Sequence, residues 1–229
     1  SVGEEQSYGG NQGWLMSQNQ IITNQGCGCI SASDIILYLA YEGKYNIDDT
    51  YNVKFEGNNI NKNNYIDYIL KMNDNYFTVD ENGIKGTEIA IGMNRYFRNN
   101  EIKLKAEWKL SDIDFLDTIK EMLENDIPVS MSANKLKSKY GDDYKIKMYQ
   151  PKNTDDWWRK TNQEVVNTFC SHYVTVTAMA EDQISGKNWF QVSSWGKKYY
   201  IDCDEYLEYA DHYGKWGWIA TNILHIKNK

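Results

Sequence analysis

Asn24-Gln25-Gly26-Cys27-Gly28-Cys29-Ile30-Ser31-Ala32-Ser33 is followed by apolar residues at helical spacing, so a thiol stands where a glycine-containing turn becomes a helix. The spacing predicts a helix over Cys27 to Tyr41, with Cys27, Ser31, Ile35, Tyr38 and Leu39 on one buried face and Gly43 as the stop. The first turn of a helix presents unpaired backbone N–H groups and the positive end of the dipole. Both favour thiolate over thiol, and the N–H groups can also donate to an oxyanion. Most free cysteines are inert core residues. The glycines flanking Cys27 argue against that here, because they point to close backbone approach rather than core filling.

Two later segments supply partners for the thiol. Ser171-His172-Tyr173-Val174-Thr175-Val176-Thr177 alternates and puts an imidazole at the head of a strand, and Val192-Ser193-Ser194-Trp195-Gly196 ends another. A cysteine on a helix and a histidine on a strand, far apart in sequence, are the arrangement of a thiol hydrolase. The other two histidines are His212, in the charged stretch Tyr209-Ala210-Asp211-His212-Tyr213, and His225, near the end of the chain. His172 is therefore the expected general base, since a Cys–His pair is the minimum machinery for thiol catalysis.

With 229 residues, only 2 prolines, no long glycine–serine tract and no block of like charges, the chain reads as a single domain, residues 1–229. Helices are expected at Tyr65–Leu70, at Thr87–Phe97 with Thr87 as N-cap, and through Leu123 from a capping box at Ser111-Asp112-Ile113-Asp114. The pattern then changes to period two. Strands are expected at Ile127–Met131, Lys145–Tyr149, His172–Met179, Trp189–Ser193, Lys197–Ile201 and Trp218–His225, with a short helix at Asp202–Tyr209. Helices first and an antiparallel sheet afterwards make an α+β protein with its cleft between the halves. The polar stretch Gln150–Asn167, which holds Trp157 and Trp158, reads as a surface loop or a flap over that cleft.

A formal charge of −7 and the lack of a basic stripe argue against nucleic acid as a ligand. The 18 tyrosines and 8 tryptophans suit an ordinary core and rim better than a dedicated polymer-gripping surface. No apolar run reaches the ~18 residues a bilayer span needs, so a soluble protein is expected. The chain begins with Ser1, which fits either a processed secretory product or a trimmed chain, and a secreted or cell-surface location is the expectation. Cys27 and Cys29 are too close for a comfortable bridge, which leaves Cys170 with Cys203 as the pair for a disulfide. A zinc site from Cys27, Cys29, Cys170 and His172 would need wider spacing within each pair, so neither metal nor cofactor is expected.

Cys27-Gly28-Cys29-Ile30-Ser31 and His172-Tyr173-Val174-Thr175-Val176 together resemble a bacterial papain-like cysteine peptidase, nearest the C39-like group. In that group the nucleophile opens a helix as Cys-Gly-Pro-(Thr/Ala)-(Ser/Ala) and the histidine heads a strand as His-(Tyr/Ser)-Val-x-Val. Cys29 stands where the proline would be, and Asp126-Ile127-Pro128-Val129 is similar to the Gly-x-Pro-Val strand that precedes the histidine. The resemblance spans residues 20 to 210 and implies a papain-like fold, with the nucleophile helix packed on an antiparallel sheet. It also implies hydrolysis of peptide or amide bonds in a peptide or protein substrate.

The apolar register after Cys27 is similar to that of C39-like helices and favours Cys27 over Cys29 as nucleophile. Where papain-like enzymes carry Asn-Ser-Trp-Gly, this chain carries Ser193-Ser194-Trp195-Gly196, so the resemblance assigns Ser193 to orient His172. A hydroxyl orients a ring less firmly than an amide or carboxylate. Asp182 and Asp202 are the other candidates, and a retired enzyme that only binds a partner is a third outcome. Trp195 would shield the histidine's hydrogen bond from water. Gln20 is the expected oxyanion donor, ahead of Gln25 and Asn24, with the Cys27 backbone N–H as the second donor. A papain-fold acyltransferase or amidase would share the same dyad.

Overall fold

The computed structural model describes residues 1–2, 7–47, 51, 53–133, 145–151, 163–182, 185–212 and 214–229. Trp157 and Trp158 lie outside the described residues. Ahead of the predicted helix, a 3-10 turn at Gln12–Leu15 leads to a short helix α1 (Gln20–Gln25), capped by Asn19, whose side chain accepts from the Ile22 N–H. Gly26 ends α1 and opens α2 (Cys27–Tyr41), which has the predicted bounds. Instead of burying one face, α2 buries every residue from Gly28 to Ser33, together with Ile35, Ile36, Leu37 and Leu39. It is buried on most sides because it runs through the middle of the molecule, although Tyr38, expected on the buried face, is exposed. Losing the side chain of Ile35 or Leu39 would cost about 2–5 kcal/mol.

A small hairpin, β1 (Phe55–Glu56) with β2 (Asn59–Ile60), leads to α3 (Lys62–Asn75) and α4 (Gly86–Asn99). Thr87 lies inside α4 rather than capping it. The cap is Lys85, whose backbone N–H donates to Glu88 Oε2 at 2.8 Å. A strand the sequence pattern did not reveal, β3 (Leu104–Trp108), precedes α5 (Phe115–Glu124). The expected capping box at Ser111 does not form: Asp114, at φ 55°, is the N-cap and makes no side-chain capping bond.

Five expected strands appear as β4 (Val129–Ala133), β5 (Ile146–Pro151), β7 (His172–Glu181), β8 (Asn188–Ser194) and β9 (Lys197–Asp202). Part of the stretch read as a loop is β6 (Gln163–Phe169), in which Glu164 to Thr168 are all exposed, so it has no alternation to detect. The chain ends with α6 (Cys203–His212), α7 (Gly214–Ala220) and β10 (Leu224–Asn228). The expected strand at Trp218–His225 therefore divides into a helix end and a strand. Asn222 Nδ2 closes the helix by donating to Trp218 O at 2.9 Å.

Six strands form one sheet in the order β4-β7-β8-β9-β5-β6, antiparallel throughout, and β10 pairs with β3 in a second, smaller sheet. Cys170 and Ser171 alone join β6, at one edge, to β7, which lies four strands away. In a flat sheet that separation would be about 19 Å. The link spans at most about 11 Å, so the sheet curls back on itself. A buried hydroxyl cluster fastens α2 to the sheet: Ser31 Oγ lies 2.8 Å from Ser130 Oγ on β4 and 2.8 Å from Thr175 Oγ1 on β7. The protein is α+β. All four cysteines are free, so Cys170 and Cys203 form no disulfide. No helix among the described residues is long and apolar enough to cross a membrane.

Candidate active site

Cys27 begins α2 because Gly26 both accepts the end of α1 and starts the next helix. The Gly26 N–H donates to Ile22 O at 2.8 Å, and a Cβ at this position would lie 2.4 Å from that oxygen. At Gly28 a Cβ would meet Ile84 Cγ2 at 2.6 Å and Tyr173 Cδ2 at 3.2 Å, so the helix approaches the cleft wall more closely than any side chain allows. The Cys27 sulfur receives backbone N–H groups from Tyr173, Gly28 and its own residue, which favour the thiolate. Burial outweighs them and pushes the thiol up. Cys29 is fully buried and pushed up to about 12, chiefly by desolvation.

His172 opens β7 directly after Ser171, which sits at φ 52°. Its Nε2 is 2.7 Å from Ser194 Oγ, and its ring stacks on Trp195 with centroids 4.2 Å apart and planes 17° from parallel. Desolvation pulls the ring down to about 3. Burial thus disfavours the charged form of each group, raising the thiol and lowering the imidazole.

Trp195 and Gly196 form a two-residue turn between β8 and β9, with Ser194 paired to Lys197 and φ of 48° and 74°. Both residues at positive φ match the hairpin turn that suits sheet twist, but a tryptophan there costs about 1–2 kcal/mol over glycine. The N-terminal segment holds the turn in place. Asn11 Nδ2 donates to Trp195 O at 3.1 Å, the Gly196 N–H donates to Gly10 O at 2.9 Å, and the Tyr8 N–H donates to Gly196 O at 2.9 Å.

The residue beside the histidine is Ser194, which corrects the expectation for Ser193. Neighbouring strand residues face opposite sides of a sheet, and Ser193 Oγ donates instead to Tyr8 O at 2.7 Å. A register shift between Val176 and Ala178 on β7 lies between the histidine and the rest of its pairing with β8, so sequence spacing alone could not choose between the two serines. Asp182 and Asp202 are at the far end of the hairpin. Asp182 accepts from Ser185 Oγ at 2.6 Å, and Asp202 accepts from the Asp204 N–H at 3.0 Å.

Gln20 is also displaced from its expected role. It is exposed on α1 and donates to Asn24 Oδ1 at 3.2 Å. Gln25 lines the larger cleft together with Cys27, and a glutamine not among the expected donors, Gln12, lines a smaller pocket with Cys27 and His172 while one Nε2 hydrogen is held by Thr23 O at 2.9 Å. The only sequence signal of Gln12 is its place in Asn11-Gln12-Gly13-Trp14, and that gives no hint that α1 folds it back to the site.

Cys27, His172 and Tyr173 separate two spaces. One is a pocket of about 10 Å³, roughly what one water needs, bordered also by Gln12, Asp34 and Ser194. The other is a cleft of about 710 Å³, walled by Ile84, Gly86 and Trp108. Among the described residues no three His, Cys, Asp or Glu side chains converge as a metal ion would require. Compared with known proteins, the chain matches no family model, no curated protein and no solved structure.

Proposed function

We propose that this chain is a papain-like thiol hydrolase that cleaves peptide or amide bonds through an acyl-thioester on Cys27. The observation that carries the reading is that the helix-head thiol and the strand-head imidazole border one cleft, with the far nitrogen of the imidazole engaged and its face covered by Trp195. Since Nε2 faces Ser194, Nδ1 is the nitrogen left to take the thiol proton. Sulfur adds to the carbonyl carbon as that proton moves to His172, and the oxyanion draws on the Cys27 N–H. The C–N bond then breaks and the amine leaves with the proton from His172. Water, deprotonated by His172, hydrolyses the thioester and restores the thiol.

An extended peptide is the substrate class that suits a cleft of about 710 Å³. Placement outside the cell belongs to the same proposal and is tested by fractionating the source organism. Two observations favour a second reading, a retired enzyme that binds a partner. Among the described residues the group that orients the histidine is a hydroxyl, and burial opposes the thiolate–imidazolium pair. Iodoacetamide labelling followed by peptide mapping, together with turnover on a mixed peptide library, decides between the two. Rapid modification at Cys27 with cleavage of peptides supports hydrolysis, whereas a folded chain that is inert in both assays supports the retired form.

A further inference from the structure

Asp34 lies about two turns along α2 from Cys27, beside the smaller pocket. Its carboxylate is engaged by the N-terminal segment and by α3. Oδ2 accepts the Gly10 N–H at 2.9 Å and Oδ1 accepts the Tyr65 hydroxyl at 2.7 Å. Gly10 in turn accepts the Gly196 N–H at 2.9 Å, and Gly196 completes the turn whose tryptophan covers His172. The line from Asp34 to the imidazole is thus continuous, although Asp34 touches no reacting atom. It is also tightly packed: a Cβ on Gly10 would fall 1.8 Å from the Tyr65 hydroxyl, and one on Gly9 would fall 2.2 Å from Ser193 Oγ and 2.9 Å from Asp34 Oδ2. Only bare backbone can pass between the carboxylate and the turn.

We propose that Asp34 is a positioning residue: through Gly10 it holds the Trp195–Gly196 turn over His172, and protonation of its carboxyl slackens that hold. The proposal rests on the reading of His172 as the base. An ionised carboxylate accepts hydrogen bonds roughly twice as strongly as a neutral group does, so the hold weakens when the charge is lost. Desolvation pushes the Asp34 carboxyl up to about 6, against the lowering effects of Gly10, Tyr65 and the Ser1 ammonium. The other titratable groups that face it include Tyr65 and Tyr68 on α3, Cys27 and Cys29 on its own helix, and His172 and Tyr173 on β7 beside the same pocket. Tyr65, Tyr68, Tyr173, Cys27 and Cys29 are raised and His172 is lowered, so Asp34 is the one of this set that changes charge near pH 6; burial also lowers the Ser1 amine from 8.0.

The test is NMR of the full chain labelled with carbon-13 at histidine, the His172 signal being identified by its loss in His172→Gln. Stacking on Trp195 displaces that signal by ring current. As pH falls through about 6 the displacement should shrink in the parent chain, and it should stay constant in Asp34→Asn. Tyr65→Phe, which removes one donor to the charged carboxylate, should move the midpoint up by about one pH unit. It keeps the proposal testable if Asp34→Asn does not fold. A His172 signal that ignores pH in the parent chain, a transition that survives in Asp34→Asn, or a midpoint unmoved by Tyr65→Phe would each overturn the proposal. Iodoacetamide labelling of the same samples separates it from the hydrolase reading. A transition that follows Asp34 with an unreactive Cys27 removes the hydrolase, and a reactive Cys27 with a pH-blind His172 removes the role of Asp34.

Discussion

Cys27 and His172 border the same cleft, yet the chain places them by different means. The cysteine is positioned by a short local run: Asn19 caps α1, Gly26 ends it and opens α2, and Gly28 lets the new helix approach the cleft wall. The histidine depends on β4, β7 and β8 being correctly paired, on the register shift within β7, and on a turn held by residues from the other end of the chain. A helix end is specified by its own neighbourhood. A strand's facing partner is specified by alignment, and one residue of error exchanges Ser194 for Ser193. The helical wall should therefore tolerate changes in the sheet, whereas the sheet wall should respond to changes far away in sequence.

The largest effect expected on this contrast comes from the cysteine itself. Cys27→Ala should abolish both iodoacetamide labelling and turnover, while Cys29→Ala keeps both, because the Cys29 thiol is buried and pushed up to about 12. Labelling that survives Cys27→Ala and disappears with Cys29→Ala would place the nucleophile one helical half-turn further on. Next comes the base: His172→Gln should slow turnover by about 10²–10⁴-fold and leave the fold intact by circular dichroism. An unchanged rate would mean that another group takes the thiol proton.

The two serines should then separate cleanly. Ser194→Ala should lower kcat by about five- to tenfold through a loosely held His172, the worth of roughly one hydrogen bond. Ser193→Ala should leave kcat nearly unchanged and cost about 1 kcal/mol of stability in urea unfolding, since it strips a donor from the Tyr8 carbonyl. Equal effects of the two substitutions on kcat would break the register argument.

The smallest effects are on stability as a function of pH, and the two walls pull in opposite directions. His172 is held neutral in the fold, with its pKa lowered to about 3, so as pH falls below 6.5 the unfolded chain takes the proton first and stability is lost down to about 3. Asp34 is raised from 3.8 to about 6, so the unfolded chain loses its proton first and stability falls as pH rises between those values. Thermal midpoints from pH 4 to 7 should rise less steeply in His172→Gln than in the parent chain. Asp34→Asn should gain more at pH 7 than at pH 4, and parallel curves for all three chains would contradict both assignments.

Much of the helical wall was legible in the sequence. The bounds of α2, the thiol at its head and the glycines around it follow from periodicity and from the stop at Gly43. What the sequence hid depends on distant contact. β6 is exposed on both faces and so lacks alternation, and Thr87 lost its cap to Lys85 because Glu88 reaches back to that residue's backbone. Gln12 comes to line a pocket with Cys27 only because α1 turns the chain, and Gln20, nearer in sequence, is exposed. His172 and the strands around it were readable as elements. Which serine met the ring was a property of the pairing.

The support that Asn11 gives to Trp195 joins residues 184 apart, and it sets a timetable for synthesis. At about 5–20 residues per second, the thiol helix is finished roughly 8 to 31 seconds before the turn that covers the histidine has been made. Until that turn is made, Cys27 stands without the covered imidazole beside its cleft. Under the hydrolase reading proposed above, a nascent chain gains its activity only once β7 to β9 have followed, long after the helix that carries the thiol.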